Sequence, residues 1–284
     1  MAETAAIEYG AHRGLNFDSY AQIQAANHST LERFRQSAAH ARYYMLSGGD
    51  EETQALRKGW AVHAAVLEPS RFDSEFIVAP KLDRRTKDGK ALWAEFQAAH
   101  ANALILTDEE MDLCQKLRAA IWAHPTAAEI LAAKGHNEMT LVWSDPETQV
   151  ACKGRVDRMC QYAGWSCLVD LKTTRDASRR TFESTIYRYG YHRQAAMYLD
   201  GAQVVAPREV ERKWLWIAAE TEPPYPVAVY EIEEAALSLG RDDYRRHLRV
   251  YAECQRTGDW PGYGDGIDYA GVPAWAYRSI EGGE

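Results

Sequence analysis

Val169-Asp170-Leu171-Lys172-Thr173-Thr174 alternates apolar and charged side chains, the pattern of a strand with one face on a core. Val169 and Leu171 share the apolar face, and Asp170 and Lys172 share the other. Upstream, Gly154-Arg155-Val156-Asp157-Arg158-Met159 reads as a second short strand carrying another carboxylate. Residues 139–143, 149–152, 154–159 and 166–173 are strand-like runs separated by turns, with Asp145-Pro146-Glu147-Thr148 as one turn signal. They predict an antiparallel meander that ends in the Asp170 strand. Residues 177–201 then read as helix with a break at Gly190, 210–219 and 226–232 as strands, and 233–256 as a long helix.

Ahead of the meander the period is helical. Ser29 or Thr30 caps a helix over 29–45 with Leu31, Phe34, Ala38, Ala41 and Met45 on one face, ended by Ser47-Gly48-Gly49-Asp50. A second helix over 51–67 carries Leu56, Trp60, His63 and Leu67 on one face and stops before Pro69. Residues 75–78 read as a strand, 81–90 as a mobile basic loop and 91–101 as helix. Thr107 to Glu110 has the form of a capping box opening a helix to Trp122, and Pro125 starts another to Ala133. Residues 1–28 show little periodicity, and the stretch holding Trp260, Pro261, Tyr263, Pro273 and Trp275 reads as irregular. The expectation is an α/β (α+β) fold, a central mixed sheet flanked by helices. It is read as one domain over 1–284: an arm (1–28), a mainly helical part (29–135), the sheet with its helices (136–257) and an irregular acidic tail (258–284).

Length and composition suit a soluble globular protein: 284 residues, 46% hydrophobic and 26% charged. No apolar run approaches membrane-spanning length and the N-terminus lacks a signal pattern, so a cytoplasmic location with no membrane partner is expected. The five cysteines, Cys114, Cys152, Cys160, Cys167 and Cys254, form no CxxC pair. That argues against disulfides, a zinc ribbon or an iron–sulfur cluster. The net charge of −8 counts against a protein that coats nucleic acid through bulk charge. Local basic runs remain, at Lys81, Arg84, Arg85, Lys87 and Lys90 and at Arg175, Arg179, Arg180, Arg188 and Arg193. Taken alone, each describes solvated surface equally well.

Two acids and a lysine gathered on adjoining strands can hold a divalent cation and a phosphate together. Oxygen ligands suit magnesium. Asp157 and Asp170 supply carboxylates, the Leu171 carbonyl adds an oxygen, and Lys172 places a cation where charge grows in phosphodiester hydrolysis. A bare Asp-x-Lys triplet is more often an exposed ion pair, but the second acid beyond Gly154 strengthens the functional reading. Gln194 and Tyr198, four apart on one helix face, can hydrogen-bond a phosphate or water, although Tyr187, Tyr191, Gln194 and Tyr198 share a core-like spacing. His63, on an apolar helix face, reads by itself as a core histidine.

His63 within Gly59-Trp60-Ala61-Val62-His63-Ala64-Ala65-Val66-Leu67-Glu68-Pro69, then Asp157, Asp170-Leu171-Lys172 and Gln194-x-x-x-Tyr198 together resemble the PD-(D/E)xK nuclease superfamily. Within it, the chain resembles the RecB-like branch and its RecE-type exonucleases (the C-terminal domain of exodeoxyribonuclease VIII). The resemblance implies a restriction-endonuclease-like core with an N-terminal helical elaboration. It implies His63, Asp157 and Asp170 as ligands of Mg2+, with Mn2+ as a substitute, and Lys172 as catalytic. Gln194 and Tyr198 become a supporting pair near DNA, and Arg84, Arg85, Lys87 and Arg155 are assigned to DNA contact. It further implies 5′-to-3′ degradation of linear double-stranded DNA, a homo-oligomeric ring, and a single-strand annealing protein as partner in phage-type recombination. Asp170 stands where many superfamily members have Glu. An endonuclease or single-strand nuclease on the same fold, or a non-catalytic DNA-binding module, are the alternatives.

Overall fold

The computed structural model describes residues 8–48, 54–101, 103–209 and 212–272. The elements run β1 (Gly10–His12), α1 (Phe17–Gln22), α2 (His28–Arg33), α3 (Ala38–Leu46), α4 (Gln54–Leu67), α5 (Pro69–Glu75), β2 (Phe76–Val78), α6 (Lys87–Ala99) and β3 (Leu104–Leu106). They continue α7 (Asp108–Ala123), α8 (Pro125–Ala132), β4 (Gly135–Ser144), β5 (Ala151–Tyr162), β6 (Trp165–Thr174), α9 (Arg179–Tyr189), α10 (Tyr191–Val205), β7 (Lys213–Glu220), β8 (Val227–Glu231) and α11 (Glu234–Thr257).

Strands β4, β5 and β6 form the expected antiparallel meander. The chain then crosses over through α9 and α10 and returns as β7, parallel to β6, with β8 antiparallel at that edge. β1 pairs antiparallel with β4 at the other edge, giving the mixed order β1-β4-β5-β6-β7-β8. β2 and β3 form a separate parallel pair. One sheet face buries Met139, Leu141, Val156, Leu168, Trp214 and Trp216 with residues of α10 and α11, among them Ala195, Tyr198, Tyr244 and Leu248. The other buries Val169, Leu171, Leu215 and Ile217 with Val62 and Ala65 of α4, Leu117 and Ile121 of α7 and Ile130 of α8. A sheet with helices on both faces is the α/β layout that the alternation of elements implied.

Local chemistry redraws several boundaries. The helix expected over 29–45 is two helices, because the Ser37 hydroxyl accepts the His40 N–H and starts α3 afresh. The loop expected over 81–90 becomes helix at Lys87, where Thr86 caps α6 by accepting the Gly89 N–H. Pro69 opens α5 as well as closing α4, so Glu75 is helical. Runs 149–152 and 154–159 fuse into the single strand β5. β1 and β3, three residues each, are too short for any period to reveal. The capping box at Thr107 and Glu110 and the break at Gly190, in the left-handed conformation, form as expected. The Gly49-Asp50 stop, the helix start at Glu51, the strand start at Val210 and the Pro273–Trp275 stretch lie outside the described residues. Residues 258–272 hold no helix or strand, with Trp260 packed near Phe34 and Tyr251. Among the described residues no helix is long and apolar enough to cross a membrane.

Gly154 sets how closely α10 approaches β5. A Cβ there would lie 2.7 Å from the Tyr198 ring, which is itself buried and edge-on to Trp214 at 6.0 Å between centroids. Gly154→Ala should therefore destabilise the fold by about 1–3 kcal/mol, the usual cost of overpacking. Adding Tyr198→Leu, which removes the clashing ring, should make the pair strongly non-additive in a double-mutant cycle of urea melts. Additive losses would mean that the ring and the glycine do not constrain each other.

Candidate metal centre

The pairing of β5 with β6 runs from Tyr162↔Trp165 to Arg158↔Val169 and stops there. The next residue on each strand is an aspartate, Asp157 and Asp170. In an antiparallel ladder the N–H and C=O of one residue leave by the same edge. Where the strands part, Leu171 therefore has both groups to be satisfied from elsewhere. Its N–H donates to Asp157 Oδ2 at 2.7 Å, and its carbonyl lies 2.8 Å from His63 Nε2. The carbonyl can only accept, so that ring nitrogen carries the proton in this arrangement. His63 Nδ1 is 3.5 Å from Asp157 Oδ2. The imidazole reaches the sheet because α4 packs Val62, Ala65 and Val66 into the core beneath β6.

Asp170 projects to the α10 side of β6, as does Lys172 by strand alternation. The Lys172 ammonium stands 2.7 Å from Asp170 Oδ2 and 4.4 Å from the centre of the Tyr191 ring. Gln194 of α10 joins the two, donating to Asp170 Oδ1 at 3.1 Å and accepting from Lys172 Nζ at 3.3 Å. Burial opposes the lysine charge, but Asp170, Tyr191 and Asp157 together more than offset it, and the Lys172 pKa is raised. Asp157 is pushed up to about 7, first by burial and then by the Asp170 and Glu138 carboxylates, against the pull of His63.

Glu138 is the residue that the strand pattern did not single out. It lies in register opposite Asp157, between the pairs Asn137↔Arg158 and Met139↔Val156. Both strands change faces at this point. Asn137 and Arg158 bond to carbonyls of Leu67, Ile130 and Ala133 on the α4–α8 side, whereas Met139 and Val156 belong to the core under α10. Glu138 makes the turn with φ +51°, unusual for a residue with a side chain. Ligand atoms of His63, Glu138 and Asp157 lie within 4.8 Å of one another. Aligning the hairpin would have placed Glu138 beside Asp157; alternation could not, because it fails at that residue.

The donor set fits a hard divalent cation: carboxylates, one imidazole and the Leu171 carbonyl. Asp170 Oδ2 is buried with no well-aligned hydrogen bond beyond its ion contact with Lys172. Of the other residues singled out by the sequence, Tyr198 is buried behind Gly154 and does not reach solvent. Arg155 is engaged by Glu138 and by the Leu15 carbonyl, at 2.6 Å each. Arg84 stacks over Trp93 at 3.5 Å, Arg85 pairs with Asp83, and Lys87 opens α6. No hydrogen bond or ion pair among the described residues joins these three to the centre.

Residues 27–272 match a family described as a PDDEXK-like domain of unknown function (DUF3799). Among solved structures, a candidate exonuclease from Eubacterium rectale is similar with TM-score 0.56 and 12% identity, over 96% of this chain and 100% of that one. At that identity the likeness concerns the fold. A second structure, SSO0001, overlaps 58% of this chain and 88% of its own at 12% identity, with a TM-score of 0.29 too low to carry an argument. No curated protein matches the sequence.

Asp157 holds its proton more tightly folded than at its ordinary value of 3.8. Without metal, the stability linked to this group is full below about pH 4 and is lost as pH rises through about 7. Asp157→Asn keeps an acceptor for the Leu171 N–H and carries no charge. In chelator, it should melt above the parent at pH 8, with the advantage shrinking towards pH 5. An equal difference in Tm at both pH values would remove Asp157 as its source.

Proposed function

The chain belongs to the PDDEXK-like domain family, and on that basis we propose that it is a divalent-metal-dependent deoxyribonuclease. The reading rests on one observation above the others: His63, Asp157 and the Leu171 carbonyl converge where β5 and β6 part, with the Asp170–Lys172–Gln194 group beside them. His63, Asp157, Asp170 and the Leu171 carbonyl would hold Mg2+, or Mn2+ in its place. When bound, such a cation polarises a scissile phosphate and lowers the pKa of an attacking water.

The chain's own groups do the rest. Asp170 keeps Lys172 protonated, and the ammonium stabilises negative charge that grows on the phosphate in the transition state. Gln194 holds carboxylate and ammonium in one geometry, so little reorganisation is needed as the charge develops. We assign the enzyme to exonucleolytic degradation of linear double-stranded DNA in the 5′-to-3′ direction, in phage-type strand-annealing recombination with a single-strand annealing partner. The motif order from His63 to Tyr198 supports this. A homo-oligomeric ring would keep a chain of net charge −8 on DNA by encirclement rather than by bulk attraction. Light scattering that gives only a monomer mass would exclude the ring.

Magnesium with linear, single-stranded and covalently closed DNA separates the possibilities. End-labelled linear duplex should be shortened from its 5′ ends while closed circles persist. Cut circles would mean an endonuclease, and intact linear DNA a binding module. Lys172→Ala should keep metal affinity and lower single-turnover cleavage by about a hundredfold or more, the typical loss of one transition-state contact. An unchanged rate would take Lys172 out of the chemistry.

A further inference from the structure

Glu138 is the carboxylate at the centre to which the mechanism above gives no role. Three observations bear on it. Its ligand oxygen lies within 4.8 Å of a ring nitrogen of His63 and a carboxylate oxygen of Asp157. It stands opposite Asp157 in the gap between the ladder pairs Asn137↔Arg158 and Met139↔Val156, where two like charges brought close are destabilising unless a cation stands near them. Its backbone adopts φ +51°, a conformation that a residue with a side chain enters at a cost and that the packing of both strands imposes.

A cation does stand near. Arg155 Nε lies 2.6 Å from Glu138 Oε2, and both side chains are largely withdrawn from solvent, at 12% and 14% exposure. The other arm of the guanidinium is anchored on the Leu15 carbonyl at 2.6 Å. Arg155 is therefore fixed in place against Glu138 Oε2. A carboxylate oxygen of Glu138 nonetheless lies within 4.8 Å of the ligand atoms of His63 and Asp157.

Building on the metal reading proposed above, we infer that Glu138 adds a carboxylate to the divalent-cation position of His63 and Asp157, with Arg155 as its counter-ion in the metal-free chain. Three carboxylates, Glu138, Asp157 and Asp170, then balance one divalent cation and the Lys172 ammonium. Arg155 opposes the cation, because both draw on the same carboxylate. This separates the inference from a purely structural ion pair, which would tie β4 and β5 to the Leu15 segment and have no bearing on metal.

The test is Mn2+ binding to the full chain, read by calorimetry and by the electron paramagnetic resonance of free Mn2+, with no DNA present. Glu138→Gln should weaken Mn2+ binding about tenfold to a hundredfold, the usual loss when a group supporting a metal site is neutralised. Arg155→Gln should tighten it, because a competing cation is gone. A Glu138→Gln protein that binds Mn2+ like the parent overturns the inference. If that variant does not fold, Arg155→Gln decides: tighter binding supports the role, and equal or weaker binding overturns it. Asp157→Asn is the control for the site itself. Should the parent bind no Mn2+, or Asp157→Asn bind it as well as the parent, the metal reading fails along with this one. Loss in Asp157→Asn with none in Glu138→Gln removes Glu138 alone.

Discussion

The parting of β5 from β6 is the constraint on which the rest depends. A ladder that ends inside a sheet leaves backbone groups to be satisfied, and a buried N–H or C=O without a partner costs about as much as a lost hydrogen bond. Here side chains close the gap: the Asp157 carboxylate takes the Leu171 N–H, and the His63 imidazole meets the Leu171 carbonyl. Each group that repairs the ladder is also of a chemical type able to ligate a metal. The same feature that ends the pairing thus gathers carboxylate, imidazole and carbonyl oxygen at one point.

Holding charge there requires rigid surroundings, and these come from both faces of the sheet. Arg158, buried beneath β5, donates to the Ile130 and Ala133 carbonyls at the end of α8 and to the Asn137 side chain. Lys153, also buried, donates to the Tyr20, Ala21 and Ile23 carbonyls where α1 ends. Burial brings its pKa down to about 8. These two cations fasten opposite ends of β5 to helix termini, whose free carbonyls favour positive charge. On the other side, Arg193 at the start of α10 bonds Glu32 of α2 and Asp243 of α11. Gly240 lets α11 come close enough that a Cβ would sit 2.3 Å from the His192 carbonyl. Gln194, the next residue along α10 after Arg193, is in this way presented to Asp170 and Lys172 by a helix held at its first turn.

The meander, the crossover helices and the long α11 were legible because each has a period that burial imposes: two along β6, and three to four along α11, where Leu237, Tyr244, Leu248 and Tyr251 face the core. Caps were legible where the chemistry is strong, as at Thr107, and missed where a single serine restarts a helix, as at Ser37. Asp170 and Lys172 share a face by strand geometry alone, which needs no tertiary information. Gln194 and Tyr198 show the limit of helical spacing. Two residues four apart share a stripe, but only packing decides that Gln194 meets Asp170 while Tyr198 fills the space above Gly154.

What the sequence determined by itself is therefore the order of the longer elements, the α/β class and the residue types able to carry metal-assisted hydrolysis, since these follow from local periodicity and side-chain chemistry. The tertiary structure alone decided where pairing stops between β5 and β6, and how far α4 advances over the sheet to bring His63 to Leu171. It alone turned Glu138 and Asp157 towards each other. These are outcomes of register and packing between segments distant along the chain. A register that parts at one residue, or a strand that changes face at one φ of +51°, leaves no trace in a period of two.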